Sequence, residues 1–528
     1  MRTFSIYTLG CKVNQYESAQ IRQFLEGLGL AAVKPIEKPD LFVINTCCVT
    51  ATASAKSRQY IQRAKKLNKS AKKVIIGCLT ALKTNELRIK ENKSTFLLAG
   101  RDGLAGKLYT IVGGARSPVP ERDASRRGCS LTNSTNISDI AQHSSIKPDD
   151  EQKINTFTGL TSLPKLPLLT AFKEHTRAFL KVQDGCDGLC SYCIIPKIRP
   201  DVQSKPIFEA VSEAKALVSA GHKEIVVTGV CLGAYGRQTV RRNWIPDRRT
   251  KEAAIEDKEA YGRQTVRRAG DEVSRGSENL EFRIEKEERK QEELKDLLEE
   301  LARIPDLARI RVSSLEPGDI SEELLDVFCK HSNIMPHIHL SVQSGSDNIL
   351  RRMCRQYSAD ELREKIALIK SRLDRPAITC DIIVGFPGET EEDFQQTVEL
   401  AKWAGFSKMH VFPFSARAGT AAAKMKDRIQ PKVVKERAEI LRKLGDCLGR
   451  KFREQFVGET CEVLIEDTEP PSGRCERYFM VYLDPLLLNQ SKNHSGAGRQ
   501  IRKNEIVKVK ITAVRGEGAE GEAANSNF

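Results

Sequence analysis

Repeated strand–helix units between residues 172 and 452 are the feature that most limits how this 528-residue chain folds. Six short apolar, β-branched runs are predicted strands: Phe179–Val182, Glu224–Thr228, Arg309–Ser313, Ile338–Val342, Ala377–Val384 and Lys408–Phe412. Helical stretches lie between them, among them Ile207–Ala220, Glu292–Arg303 and Glu391–Ala404. This alternation predicts parallel strands joined by helices, here a partial (β/α)6 barrel. Ligands of such barrels bind at the carboxyl ends of the strands.

Residues 1–114 carry a second pattern of alternating strands and helices. FSIYTL, LFVIN and KVIIG are predicted strands, and Glu17–Leu28 and Ala55–Leu67 are predicted helices. The order predicts a separate α/β domain with a mostly parallel sheet. Residues 115–171 lose this periodicity and are rich in Ser, Asn, Pro and charge, so we predict a linker or mobile loop.

The C-terminal part of the chain changes to a β-rich pattern. CEVLIED, YFMVYLD and EIVKVKITAV predict a small all-β barrel over residues 453–515, and residues 516–528 are predicted to form a tail. Residues 237–290 interrupt the central domain. The sequence AYGRQTVRR occurs twice here, at 234–242, across the start of this segment, and at 260–268, inside it. We predict a duplicated, solvent-exposed insertion there.

Composition narrows the class of protein. A hydrophobic content of 40% and a charged content of 29% fit a soluble globular chain. No apolar run reaches about 18 residues, so no membrane-spanning helix is expected. The start, MRTFSIYTLGCKVNQ, lacks the apolar core of a signal peptide, and we predict a cytoplasmic protein. In that compartment, metal or catalytic roles for the 15 cysteines are more common than disulfides.

The net charge of +15 is concentrated at the two ends of the chain. Residues 1–114 hold 19 Lys/Arg against 7 Asp/Glu, and residues 474–515 hold 9 against 3. A run of basic residues with no acidic residue among them begins at Lys56 and ends at Lys73. A basic helix of this kind fits a polyanion such as nucleic acid, or it is simply a solvated face, and the run alone does not separate the two.

Two groups of cysteines stand out. Cys186, Cys190 and Cys193 form a Cx3Cx2C motif directly after the first predicted barrel strand, and we call them the barrel cysteine set. A structural zinc site normally has four ligands, whereas a [4Fe–4S] cluster held by three cysteines leaves one iron open to a ligand. Three further cysteines each follow a predicted N-terminal strand, so one sheet edge can gather them, although spacing alone also fits unrelated cysteines. This N-terminal cysteine set is Cys11, Cys47 and Cys78.

The motif and its surroundings, KVQDGCDGLCSYCIIPKIR, resemble the methylthiotransferase branch of the radical S-adenosylmethionine (SAM) superfamily. The resemblance extends to TLGCKVNQYES, INTCCVT and VIIGCLT in the N-terminal domain. It implies that the barrel cysteine set holds a [4Fe–4S] cluster that binds SAM. It also implies that the N-terminal set holds a second, auxiliary [4Fe–4S] cluster used in sulfur delivery. Cys48, next to a motif cysteine, is not an expected ligand.

The same resemblance suggests contacts to SAM and RNA. Glycine-rich and strand-end segments of the barrel are family-like, and the expected SAM contacts are Gly229, Gly233, Glu316 and Gly385. Glu316 could equally cap a neighbouring helix. The C-terminal β region resembles the TRAM domain, an RNA-binding barrel. The expected RNA contacts are Lys56, Arg58, Arg63, Lys65, Lys66, Arg502 and Lys503.

Methylthiotransferases differ in their targets. TLGCKVNQYES and the pair GFPGET and HVFPFSARAGT look most like the MtaB-type group, which modifies N6-threonylcarbamoyladenosine at position 37 of tRNA. The resemblance then implies a monomer that acts on the tRNA anticodon loop with a low-potential electron donor and a sulfur source. The alternatives are isopentenyladenosine in tRNA, an aspartate of a ribosomal protein, or a non-catalytic iron–sulfur protein that binds RNA.

Overall fold

A computed structural model of the chain describes residues 1–82, 89, 91–100, 103–113, 166–173, 175–237, 293–483 and 501–523. The predicted insertion lies outside this part of the chain except for Arg237, and so does most of the predicted linker. The described residues form an N-terminal α/β domain, a central β/α barrel and a small C-terminal β-barrel, which confirms the predicted fold class. Within them, no helix combines the length and apolar character needed to cross a membrane.

The N-terminal domain is a parallel sheet with helices on both faces. Its strands are β1 Thr3–Thr8, β2 Ala31–Ala32, β3 Leu41–Thr46, β4 Lys72–Gly77 and β5 Thr95–Leu97, and its helices are α1 Lys12–Gly27, α2 Ala51–Leu67 and α3 Leu104–Val112. The strand order is β2-β1-β3-β4-β5. Every residue of β3 is buried. Because side chains alternate along a strand, Leu41 and Val43 pack with one apolar cluster and Phe42 and Ile44 with another on the opposite face.

The central barrel consists of parallel strands in sequential order. They are β6 Arg177–Lys181, β9 Glu224–Thr228, β10 Arg309–Val312, β11 Ser314–Leu315, β12 His337–Gln343, β13 Ala377–Val384 and β14 Lys408–Pro413. β10 and β11 are two parts of one interrupted strand, so six strands form the wall. A short antiparallel pair, β7 Gln183–Asp184 and β8 Gln203–Ser204, lies above β6.

Helices cover the outer face of the barrel. They are α4 Ile195–Ile198, α5 Ile207–Ser219, α6 Leu294–Ala302, α7 Glu322–Lys330, α8 Asp347–Arg352, α9 Ala359–Arg372, α10 Glu391–Ala404 and α11 Pro431–Glu454. Apart from α4, which lies in the loop region after β6, the apolar sides of these helices and both faces of the strands form one continuous core cluster. Two predicted strands, Glu224–Thr228 and Ala377–Val384, have the observed bounds, and the others differ by one or two residues at an end.

The C-terminal domain is a closed five-stranded barrel. Its strands are β15 Thr460–Thr468, β16 Pro471–Cys475, β17 Met480–Leu483, β18 Ile506–Arg515 and β19 Gly518–Ala523, in the order β15-β16-β17-β19-β18. Arg309 and Arg311, at the amino ends of the central strands, donate hydrogen bonds to backbone carbonyl groups of this barrel at 2.7–3.0 Å. The small barrel therefore closes the end of the central barrel opposite to the strand carboxyl ends.

Two predicted boundaries are wrong. The predicted tail at 516–528 contains β19, which pairs with both β17 and β18 and so closes the barrel. Its small residues do not form a strand pattern, although they are required there: a Cβ on Gly521 would lie 2.4 Å from the side chain of Val509. The last part of the predicted linker, residues 166–171, is held against α1, and Leu169 is fully buried in the central core.

Candidate active site

The N-terminal cysteine set gathers at one edge of its sheet. Cys47 and Cys78 directly follow β3 and β4, and Cys11 follows the neighbouring strand β1. Cys47 and Cys78 are buried and Cys11 is exposed. Burial raises the pKa of Cys47 to about 11, and negative charge on Cys78 and Cys11 adds to the rise, so the three sulfur atoms share one environment. The structure thus brings together Cys11 and Cys78, which are 67 positions apart in the sequence, with Cys47 between them.

The backbone before Cys78 depends on glycine. Gly77 has a φ of +92°, and a Cβ there would lie 2.4 Å from the carbonyl oxygen of Thr46. On the neighbouring strand end, the Ser57 hydroxyl donates to the carbonyl group of Cys47 at 2.9 Å and accepts from its N–H at 3.1 Å. These contacts hold the two loops that present the buried thiols.

Cys48 lies beside this set and is fully buried. A hydrogen bond from the Cys48 thiol lowers the pKa of Cys78, and the same bond raises the pKa of Cys48. Metal ligation requires the thiolate form. The arrangement therefore favours Cys78 as a ligand and leaves the proton on Cys48.

The barrel cysteine set lies in the loop after β6, at the carboxyl end of the barrel. The N–H of Gly188 points to the Cys186 sulfur at 3.3 Å, and Nη1 of Arg355 points to the Cys190 sulfur at 3.2 Å. Burial raises the pKa of Cys193 to about 12. Hydrogen bonds to cysteine sulfur are a feature of iron–sulfur sites. Three neighbouring thiols, two of them with such donors, fit a cluster.

The start of this loop leaves no room for a side chain. Gly185 has a φ of +76°, and a Cβ there would lie 1.9 Å from the carbonyl oxygen of Asp201. Gln183 fixes the loop, because its Nε2 donates to the carbonyl group of Gly185 at 2.8 Å and its Oε1 accepts from the N–H of Cys231 at 2.8 Å. The Cys231 thiol in turn donates a hydrogen bond to Cys186, which lowers the pKa of Cys186.

Arg199 connects the two cysteine sets. Its guanidinium lies 2.9 Å from Asp184 in the barrel loop and 3.2 Å from Glu17 on α1. Its other nitrogen, Nη2, is 3.3 Å from Asn14 and 3.7 Å from the sulfur of Cys78. Burial lowers the pKa of Arg199, but the negative charges of Cys78 and Asp184 outweigh this effect and raise it. The two domains thus meet around the half-buried Arg199 guanidinium at the carboxyl end of the barrel.

Comparison with known proteins follows this domain layout. Residues 3–99 match a family described as Uncharacterized protein family UPF0004, and residues 180–401 match the Radical SAM superfamily. The protein "Threonylcarbamoyladenosine tRNA methylthiotransferase MtaB" of Bacillus subtilis (strain 168) is 31% identical, over 97% of this chain and 94% of the relative. The chain belongs to the MtaB-type radical SAM methylthiotransferase family.

Two further relatives and one solved structure are also similar to this chain. A protein of the same name from Thermotoga maritima is 30% identical over 88% of this chain and 87% of its own length. A "tRNA-2-methylthio-N(6)-dimethylallyladenosine synthase" of Staphylococcus epidermidis is 27% identical over 97% and 82%. The solved structure of the radical SAM methyltransferase TsrM from Kitasatospora setae is similar at a TM-score of 0.45 and 13% identity, covering 78% of this chain and 75% of that chain.

Membership defines the chemistry of the chain. This methylthiotransferase is an enzyme that uses SAM and [4Fe–4S] chemistry. The alternative of a non-catalytic RNA-binding protein is not supported by these relatives, which are named as transferases and a synthase.

The glycines predicted to contact SAM lie at the carboxyl end of the barrel, but each touches the protein itself. A Cβ on Gly229 would lie 2.8 Å from Gln183, one on Gly233 would lie 1.9 Å from Asp319, and one on Gly385 would lie 2.4 Å from Val434. Packing within the chain therefore explains why these positions lack a side chain.

Glu316 follows β11 and caps a short 3-10 helix, which is one of the two roles that the sequence left open. Its N–H donates to the carboxylate of Asp319 at 2.7 Å, at the start of a short 3-10 helix. Its side chain pairs with Arg355 at 3.0 Å, the same arginine that contacts Cys190. The Glu316 carboxylate is therefore held next to the barrel cysteine set and remains partly exposed.

The predicted RNA contacts fall into two separate groups. On α2, the exposed side chains are Lys56, Arg63 and Lys66, and Arg58 and Lys65 are half-buried. The basic run does not continue as a helix to its end, because Lys73 belongs to β4. The buried Lys73 ammonium donates to backbone carbonyl groups at 2.6 and 2.9 Å.

Arg502 and Lys503 lie on the C-terminal barrel and are exposed. Lys503 lines a cleft with His175 and Arg177, where β6 begins. These two residues are therefore at the amino end of the central strands, whereas both cysteine sets are at the carboxyl end.

Three charged residues of the site, Arg355, Asp184 and Arg199, were not predicted from the sequence. Arg355 is 165 residues from its partner Cys190, and Arg199 is 121 residues from Cys78. No local spacing connects such pairs, so only the folded arrangement shows them. The one available signal was that Asp184 and Arg199 are charged residues on either side of the CxxxCxxC segment.

Proposed function

We propose that this methylthiotransferase adds a methylthio group to C2 of N6-threonylcarbamoyladenosine at position 37 of tRNA. Two [4Fe–4S] clusters take part, one on the barrel cysteine set and an auxiliary one on the N-terminal set. When bound, the clusters and SAM supply the radical chemistry and the sulfur atom. The remaining work of binding, orientation and exclusion of water belongs to the side chains of the chain.

The observation that carries this proposal is the junction at Arg199. A methylthio transfer that uses two clusters needs both to face one substrate. The Arg199 side chain touches Cys78 of the first set and Asp184, two residues before Cys186 of the second. The two acidic side chains of this junction each have a second cation, because Lys181 also pairs with Asp184 at 2.7 Å and with Glu17 at 3.4 Å.

A tRNA fits this site better than a protein loop. The exposed basic side chains of α2 lie on the helix that begins beside the N-terminal set, and tRNA phosphates attract dispersed Lys and Arg. An anticodon-loop base is single-stranded and can enter the site without opening a duplex. The proposed setting is a cytoplasmic monomer that takes electrons from a low-potential donor and sulfur from a separate source.

Nucleoside analysis tests the substrate. In a deletion strain with no paralogue, mass spectrometry of tRNA nucleosides is expected to show loss of the methylthio form of threonylcarbamoyladenosine and accumulation of its precursor. Persistence of the methylthio form would contradict the proposal. Purified enzyme assayed against tRNA with isopentenyladenosine and against a ribosomal-protein substrate distinguishes the alternatives within the family.

Iron analysis tests the ligands. Anaerobically reconstituted protein is expected to hold about eight irons per chain, and replacing the whole barrel cysteine set with Ala is expected to leave about four. Cys447→Ala is the control, because Cys447 is an exposed cysteine on α11 and belongs to neither set, and this variant is expected to retain about eight. An unchanged iron content in the triple variant would show that the barrel set is not a ligand set.

A further inference from the structure

Three potential metal ligands come together on the inner wall of the central barrel, on neighbouring strands β12, β13 and β14. They are His339, Asp381 and His410. One ligand atom from each lies within 4.8 Å of the other two. Nε2 of His339 is 3.3 Å from Oδ1 of Asp381, and the ring centroids of the two histidines are 5.7 Å apart. Neither cysteine set includes any of these residues.

Strand register produces this cluster. Thr379 lies opposite His339 and Asp381 lies opposite His410 in the parallel pairing. Residues two apart on a strand face the same side, and neighbouring strands are about 4.8 Å apart, so the three side chains converge. Asp381 and His410 each lie three residues before the end of their strand, about 10 Å below the carboxyl ends of β13 and β14.

A second contact orients one of the histidines. Nδ1 of His339 lies 2.8 Å from the Thr379 hydroxyl, which also lies 3.2 Å from Nε2 of the buried His337. When Nδ1 of His339 donates to this hydroxyl, the lone pair of Nε2 points toward Asp381. Metal-binding histidines are typically held in this way, with the second ring nitrogen hydrogen-bonded to the protein.

We propose that His339, Asp381 and His410 form a mononuclear site for a divalent transition-metal ion, separate from both iron–sulfur clusters. Two imidazoles and one carboxylate suit ions such as Zn²⁺ and Fe²⁺. Three protein ligands leave at least one position open for an oxygen ligand. This inference does not depend on which nucleoside the enzyme modifies.

The positively charged side chains near His339, Asp381 and His410 have partners of their own. Lys408 is paired with Glu517 at 3.0 Å. The Lys12 ammonium donates a hydrogen bond to the Ser313 hydroxyl at 3.0 Å.

The test uses anaerobically reconstituted holoenzyme with Zn²⁺ as the probe. After incubation with Zn²⁺ and gel filtration, elemental analysis is expected to find about one zinc per chain in addition to about eight irons. Zinc K-edge X-ray absorption is expected to show nitrogen and oxygen scatterers at about 2.0–2.1 Å and no sulfur. Asp381→Asn and His339→Ala are expected to lower zinc affinity at least tenfold while iron content stays unchanged.

Two further variants separate ligation from folding. Thr379→Val removes the hydrogen bond to His339 and keeps the ligands, and it is expected to weaken zinc binding about 10–100-fold. His331→Ala is the matched control, because His331 also faces a carboxylate, Glu299 at 2.9 Å, on the outside of the barrel. It is expected to bind zinc like the wild type.

Three results would overturn the proposal: wild-type holoenzyme that retains no zinc, equal zinc affinity in the wild type and Asp381→Asn, or sulfur scatterers around the bound zinc. The first would mean that the cluster is a hydrogen-bonded part of the barrel wall. The last would place the zinc on cysteines.

Discussion

Among individual side chains, the contact between Cys231 and Cys186 sets the acidity of a proposed cluster ligand. The hydrogen bond from Cys231 lowers the pKa of Cys186 and raises that of Cys231 itself. Burial raises the pKa of Cys190, and Arg355 offsets only part of that rise. Since a cluster binds thiolates, Cys231 makes Cys186 the member of the barrel set that gives up its proton most readily.

Removing this donor has a predictable effect on Cys186. In cluster-free protein, labelling by iodoacetamide follows the thiolate, so Cys186 is expected to react at lower pH than Cys190. In Cys231→Ala, the labelling curve of Cys186 is expected to move to higher pH by about one unit, equivalent to a hydrogen bond of about 1.4 kcal/mol. Peptide mass spectrometry across a pH series measures both curves.

Cys231→Ser is the control, because a hydroxyl can still donate to the Cys186 sulfur. Its labelling curve is expected to stay close to that of the wild type. An unchanged curve in the alanine variant would mean that another group determines the acidity of Cys186.

Among the loops and strands, the loop that follows β6 is shaped by one glycine. Gly185 is held at a positive φ by its own turn and faces the backbone of Asp201 with no space between them. A main-chain hydrogen bond also joins the two arms of the loop, because the N–H of Cys186 donates to the carbonyl group of Arg199 at 3.0 Å. A side chain at Gly185 would therefore separate the two arms of the loop that carries the barrel set.

Gly185→Ala is expected to release the cluster of the barrel set. A non-glycine residue at positive φ costs about 1–2 kcal/mol, and the clash with the Asp201 carbonyl adds to this cost. Iron content after reconstitution is expected to fall from about eight to about four. Gly221→Ala is the matched control: Gly221 has a φ of +97° but nothing lies within 4 Å of its Cβ position. If both variants kept the full iron content, the close approach at Asp201 would not be essential.

The strands also show how far sequence alone leads. Strands such as β13 were predictable because apolar, β-branched residues make up most of the strand and one whole face is apolar and buried. β19 was not, because a strand of Gly, Ala and Glu becomes stable only when β17 and β18 supply hydrogen bonds on both sides. In the site, the cysteines were predictable from their spacing and from the motifs around them. The convergence of His339, Asp381 and His410 depends on strand register, which no single motif encodes.

Across the three domains, the two outer ones close the two ends of the central barrel. Arg199 joins the N-terminal domain to the carboxyl end. At the amino end, the fully buried Glu224 accepts from Arg311 at 2.8 Å, and Arg311 reaches the backbone of the small C-terminal barrel. The two predicted RNA-binding groups lie toward opposite ends of the central strands, and a strand of five residues spans about 17 Å. One short RNA hairpin is then expected to contact only one of them.

This separation predicts different losses for two charge-reversal variants. Lys56→Glu combined with Arg63→Glu and Lys66→Glu is expected to weaken binding of both full-length tRNA and an isolated anticodon stem-loop. Arg502→Glu combined with Lys503→Glu is expected to weaken binding of full-length tRNA alone, because only the longer RNA reaches the far end.

Fluorescence anisotropy over a salt series measures the affinities, and the slope of log K against log salt is expected to fall by about 0.9 for each phosphate that the variant no longer neutralises. Lys215→Glu, at an exposed position on α5, changes charge away from both groups and is expected to leave both affinities close to wild type. Equal losses of stem-loop binding in the two variants would mean that both basic surfaces contact the same RNA segment, which would contradict this prediction.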